Sequence, residues 1–106
     1  MKFRVEYTKK AVKDLKRLSI DLQKQIIQET IELESAPFPF KKKIKRIQGI
    51  KFPCYRLRID MASNSFRVFY GIEKNNIFIL RIISKKDADK ILKNLRNTDF
   101  PPNINP

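Results

Sequence analysis

The sequence predicts an α+β domain: an N-terminal strand, a two-helix hairpin, a twisted antiparallel sheet of three to four strands and a C-terminal helix. Three observations carry that prediction. Apolar residues alternate at Phe3, Val5 and Tyr7. They recur at helical spacing from Ala11 to Leu33. Period-two patterning then returns between Cys54 and Ile72.

Each element follows from its residues. Lys2, Arg4 and Glu6 alternate with the apolar set of the first strand, so one face of that strand is buried. Thr8 is placed to cap a helix whose apolar stripe is Ala11, Val12, Leu15 and Leu18, with Lys9, Lys10, Lys13, Lys16 and Arg17 on the wet side. Ser19 and Asp21 punctuate. A second helix follows, with the stripe Leu22, Ile26, Ile27, Thr30, Ile31 and Leu33, and Pro37 and Pro39 end it. A basic loop leads into a short strand around Ile44 to Ile47. In the next two strands, Met61 to Asn64 form the loop if Tyr55, Leu57, Ile59, Phe66, Val68 and Tyr70 are to share one face. That register pairs Asp60 with Ser65, Ile59 with Phe66, Arg58 with Arg67, Leu57 with Val68, Arg56 with Phe69 and Tyr55 with Tyr70. Glu73 to Asn76 form a turn, and Ile77 to Ile83 form a central strand covered on both faces, interrupted by Arg81. Ser84 to Asp87 match a capping box ahead of a last helix bearing Ala88, Ile91, Leu92 and Leu95. Residues 1–96 form one domain, and 97–106 are expected to be an extended or disordered tail.

Composition narrows the function. The 106 residues carry 24 basic and 11 acidic side chains, a net charge of +13, with no histidine and one cysteine. Ser-His-Asp and Cys-His catalysis and histidine metal sites are excluded, and a single cysteine makes structural zinc untenable. With Gly49 and Gly71 as the only glycines, no glycine-rich phosphate loop exists. No apolar run reaches the roughly 18–20 residues of a membrane span. No secretory leader is expected, and the lone Cys54 fits a reducing compartment, so the expected location is cytoplasmic. No metal, small-molecule cofactor or membrane partner is expected.

The basic charge is concentrated. From Ser35 to Ile59 there is no acid, while Lys41, Lys42, Lys43, Lys45, Arg46, Lys51, Arg56 and Arg58 accumulate. Such a field attracts polyanions. The predicted register also sets Arg58 opposite Arg67 with Arg56 beside them, a like-charge arrangement that costs folding energy. All three arginines are expected on the exposed side of the hairpin. Lys85 and Lys86, at the start of the last helix, are placed to hold a phosphate.

The order of elements, with GIKFPCYRLRID, SFRVFYGI and IFILRIISKKD, resembles the RelE/ParE superfamily of bacterial and archaeal toxins, over about residues 2–95. The family segment reads G-x-x-x-YRLR-x-GD-x-RV-x-Y, then a strand ending in a basic pair and a helix. The resemblance implies a toxin of a type II toxin–antitoxin pair, on the RelE branch a ribosome-dependent mRNA endonuclease, on the ParE branch a gyrase poison. It implies a cognate acidic antitoxin, mRNA and the ribosome as partners. Arg67 falls on the arginine that contacts the scissile phosphate; Arg58, Lys85 and Lys86 complete the implied catalytic set. Arg56, Lys41, Lys42, Lys43, Lys45, Arg46 and Lys51 are the implied RNA-binding set. Two departures stand out. Ser84 and Asp89 occupy the neighbourhoods where many relatives carry a histidine or tyrosine, and DMASNS replaces the Gly-Asp loop. An RNA-binding chain without cleavage activity is the remaining alternative.

Overall fold

The computed structural model describes residues 2–61 and 63–97; the expected tail lies outside the described residues from position 98 on. The elements are β1 (Arg4–Tyr7), α1 (Lys9–Lys16), α2 (Ile20–Glu32), β2 (Ile44–Arg46), β3 (Cys54–Asp60), β4 (Ser65–Glu73), β5 (Asn76–Ser84), a 3-10 turn (Lys85–Asp87) and α3 (Ala88–Leu95). They form an α+β fold of three helices on one five-stranded mixed sheet, ordered β1-β5-β4-β3-β2. The meander from β2 to β5 is antiparallel. β1 joins it at the far edge, parallel to β5.

The caps act where the sequence places them. The Thr8 hydroxyl accepts from the Ala11 amide (3.2 Å), and the Ser19 hydroxyl accepts from the Leu22 amide (3.3 Å). The chain leaves α2 through Pro37, whose carbonyl accepts from the buried Tyr70 hydroxyl at 2.7 Å. β4 turns into β5 through Lys74, which holds a left-handed backbone (φ 56°). One helix expectation changes: Ile31 is 48% exposed rather than part of the buried stripe of α2.

The β3–β4 register is the one that buries the apolar face, from Asp60↔Ser65 through Arg58↔Arg67 to Cys54↔Gly71. Leu57, Ile59, Phe66, Val68 and Tyr70 pack with Ile44, Ile77, Ile79 and Ile82 beneath Ala11, Ile26 and Leu33 of the N-terminal helices. The opposite face of the sheet carries a second core of Cys54, Phe69, Phe78, Leu80 and Ile83, closed by Phe52 and by Leu95 of α3. Strand β5 contributes to both cores, which accounts for its nearly unbroken apolar run.

Arg81 has a structural explanation. Strand β1 ends at the Tyr7↔Ile79 pair, so the outer edge of β5 beyond it lacks a neighbouring strand. The register across β4–β5 also shifts by one residue between Phe69 and Tyr70. The edge is satisfied by side chains instead. The Thr8 hydroxyl donates to the Leu80 carbonyl (3.2 Å), and the Asp14 carboxylate accepts from the Ile82 amide (2.9 Å). The same carboxylate accepts from Arg81 Nε (2.7 Å) and Nη2 (3.0 Å). Asp14 is buried on α1, and it plugs an edge that would otherwise offer an amide to another chain.

Candidate nucleic-acid interface

Paired residues in a sheet share a face, so the register defines the site. Arg58 and Arg67 lie opposite each other, with Ile83 next in that row on β5. In the adjacent row Lys45, Arg56 and Phe69 face the same way. All project from the α3 side of the sheet. The apolar part of this side lies under α3 and the loop before β3, and the arginines occupy the β3–β4 end.

The three arginines differ in environment. Arg56 and Arg58 are partly exposed. Arg67 is buried, at 7% exposure, which corrects the expectation that it would stand out with the other two. Its guanidinium folds back, and Nη1 donates to the Phe66 carbonyl (3.0 Å) and to the Ser65 hydroxyl (2.9 Å). The expected repulsion is also relieved within the chain. Asp60, the last residue of β3, accepts from Arg58 Nε at 2.7 Å and from the Ser65 hydroxyl at 2.5 Å, and it lies 3.7 Å from Arg67 Nη1. The Ser65 hydrogen bond does most to hold the Asp60 carboxyl below the usual carboxylate range; desolvation opposes it, and the bond and charge of Arg58 and the charge of Arg67 add to the lowering. Arg56 shows the cluster from the other side. Partial burial lowers its pKa most, the charges of Arg67 and Arg58 lower it further, and Asp60 offsets part of this.

The basic loop is bonded to these arginines through its backbone. Arg56 Nη2 donates to the Lys42 carbonyl (2.9 Å), and the Arg58 amide donates to the Lys43 carbonyl (2.8 Å). A cavity of about 460 Å³ opens there, lined by Glu29, Lys42, Lys43, Arg58, Ile59 and Asp60. Lys43 pairs across it with Glu29 at 2.9 Å. Lys42, Lys43 and Lys45 are therefore gathered with the arginines.

The remaining candidates are placed differently. Arg46 pairs with Tyr55 and sits over its ring at 6.0 Å, on the side of the α1–α2 core, which sets it apart from the arginine face. Lys41 lies over the Phe40 ring at 5.3 Å, with a left-handed backbone (φ 51°). Lys51 is exposed in the loop before β3. Lys85 and Lys86 are exposed on the 3-10 turn, next to the Phe66↔Ser84 pair. The expected capping box is not made: the Ser84 hydroxyl donates to the Asp87 carboxylate (3.0 Å) instead of accepting a helix amide. The lysines thus precede α3 by a turn rather than occupying its first turn.

Asp60 and Ser65 are the site residues that the sequence reading paired but gave no role. A signal was present, since Asp60 is the only acid between Ser35 and Ile72.

Residues 5–89 match the family described as the ParE toxin of type II toxin-antitoxin system, parDE. The chain belongs to that family, within the RelE/ParE superfamily. Among solved structures, a double-arginine mutant of the E. coli toxin RelE in the free state superposes with a TM-score of 0.69 at 17% identity, covering 92% of this chain and 97% of that one. The archaeal RelE–RelB complex from Pyrococcus horikoshii gives 0.61 at 24% identity, covering 80% and 97%. The RelBE2 toxin–antitoxin complex from Mycobacterium tuberculosis gives 0.65 at 18% identity, covering 80% and 100%. No curated protein matches. These likenesses establish the toxin fold, and the family match establishes a type II toxin. Among the described residues no helix is long and apolar enough to cross a membrane.

Proposed function

We propose that this toxin is a RelE-like mRNA endonuclease acting at the ribosome and held in check by an acidic antitoxin. The observation that carries the reading is the convergence of Arg58 and Arg67, with Arg56 in the next row, on one end of the sheet. Attack of a ribose 2′-hydroxyl on the neighbouring phosphate breaks the P–O5′ bond through a phosphorane carrying extra negative charge. Fixed guanidinium groups aimed at that charge stabilise the transition state more than the ground state. Arg67, anchored by the Phe66 carbonyl, is the main transition-state cation, and Arg58 is its cross-strand partner. Arg56 positions the RNA backbone together with Lys42, Lys43 and Lys45. Lys41, Lys51 and Arg46 add to the long-range field. Lys85 or Lys86 holds a flanking phosphate.

Proton transfer has no histidine to use, and α3 contains no tyrosine. A lysine beside the guanidinium cluster is the group assigned to that step. The antitoxin partner is supported by the complexes among the structural relatives and by the net charge of +13, which calls for an acidic complement.

A second reading, gyrase inhibition without catalysis, is favoured by the match to the ParE description and by the missing histidine and helix tyrosine. Tightly controlled expression separates the two. Primer extension should reveal new mRNA 5′ ends soon after induction, while a gyrase supercoiling assay run alongside stays unchanged. Arrested growth with intact mRNA and lost supercoiling would replace the first reading by the second.

A further inference from the structure

Arg58, Arg67 and Ser65 converge on one carboxylate. Both oxygens of Asp60 are engaged, Oδ2 by Arg58 Nε at 2.7 Å and Oδ1 by the Ser65 hydroxyl at 2.5 Å, with Arg67 Nη1 at 3.7 Å and itself bonded to Ser65 at 2.9 Å. We propose that these groups form an anion cradle, that Asp60 fills it in the unbound toxin, and that an RNA phosphodiester displaces Asp60 on binding. The proposal rests on the RNA-binding reading and adds to it an internal competitor and a third donor, Ser65.

Three observations support it. The first is chemical. A carboxylate and the two non-bridging oxygens of a phosphodiester present the same pattern to guanidinium and hydroxyl donors: one negative charge over two acceptors. The second is mechanical. Arg67 has a side chain only 8% exposed and tied to the Phe66 carbonyl, whereas the Asp60 side chain is 51% exposed at the end of β3. Arg67 is held in place while Asp60 stands half-exposed at the strand end, so Asp60 can rotate away without disturbing either core. A half-exposed ion pair breaks at small cost. The third is positional. In the 38 residues from Ser35 to Ile72 the single acid stands on the arginine pair. A carboxylate there lowers affinity for any polyanion, so its placement in the cradle makes RNA entry a substitution of one anion for another.

The test uses the intact chain and a fluorescently labelled single-stranded oligoribonucleotide, with inorganic phosphate as competitor. Asp60→Asn should bind the RNA roughly five-fold more tightly, while Ser65→Ala and Arg67→Ala bind it more weakly. Glu73→Gln removes the same charge at the far end of β4 and should leave affinity nearly unchanged. In the wild-type toxin, the Asp60 side-chain carboxyl carbon resonance should move on adding RNA, and on adding inorganic phosphate at higher concentration. If Asp60→Asn binds no better than wild type while Arg67→Ala binds poorly, the competitor role is wrong and the RNA reading stands. If Glu73→Gln gains as much as Asp60→Asn, the effect is net charge and the cradle is refuted. An Asp60 resonance that stays put under saturating RNA refutes it without any variant. If Arg67→Ala binds like wild type, the RNA reading itself fails.

Discussion

Arg67 joins an observed structural role to a proposed functional one. An arginine that merely faced a like charge would be removed with a gain in stability. Here its guanidinium is buried and satisfies the Phe66 carbonyl and Ser65, with Asp60 close by. Arg67→Ala should therefore stay folded but lose about 1–2 kcal/mol in urea unfolding, because partners are left without their donor; an unchanged midpoint would show that the guanidinium is idle in the unbound toxin. Asp14 carries more. It is 8% exposed and accepts three hydrogen bonds, two from Arg81 and one from the Ile82 amide. Asp14→Ala should cost about 3 kcal/mol, the range for breaking a buried pair, and should promote association through the unplugged β5 edge, read by light scattering. Neither role was legible in the sequence. Hydrophobic periodicity identifies which residues face a core, but Asp14 reads as one more polar residue outside the apolar stripe of α1, and its partner lies 67 positions away.

Strands and loops were more readable. The β3–β4 hairpin register followed from a single demand, that Tyr55, Leu57, Ile59, Phe66, Val68 and Tyr70 share a face, because a one-residue slip inverts every side chain. The same logic fails for the burial of Arg67, which depends on how a flexible side chain folds back within its own strand. It fails also at the start of α3, where Ser84 spends its hydroxyl on Asp87. The basic loop supplies the element-scale prediction. Its backbone carbonyls, not its side chains, are bonded to Arg56 and Arg58. Replacing Lys42 and Lys43 together by alanine should preserve the fold and lower the slope of log affinity against log salt by about 1.4, from about 0.7 per lost phosphate contact on single-stranded RNA. Filter binding between low and moderate salt reads this; an unchanged slope would remove the loop from the RNA path.

At the scale of the whole molecule, the sheet separates two cores. One side of the sheet carries the α1–α2 core with its buried Tyr70, the other carries the smaller α3 core and the arginine end. Burial raises the Cys54 thiol to about 12 and pushes the Tyr7 and Tyr70 hydroxyls up as well, for Tyr70 with added contributions from Tyr55 and Cys54. Groups whose folded pKa lies above the unfolded value stabilise the fold fully below the unfolded pKa and lose that contribution as pH rises. Thermal stability should therefore hold at neutral pH and decline from about pH 9, where unfolded cysteine ionises, more steeply past about 10, where unfolded tyrosine does. Asp60 acts in the opposite sense: its folded pKa is depressed, so its contribution is present above the ordinary carboxylate range and fades as the pH falls through that lowered value. A melting series across pH checks both limbs. The proposed activity is RNA cleavage by the guanidinium pair. It is tested most directly by single-turnover cleavage of a defined mRNA on programmed ribosomes by wild type, Arg67→Ala and Arg67→Lys, each verified as folded. Wild type should cleave, Arg67→Ala should be slower by roughly 100-fold or more, as when a transition-state donor is removed, and lysine should restore part of the rate. Cleavage by Arg67→Ala at the wild-type rate would contradict the proposed activity.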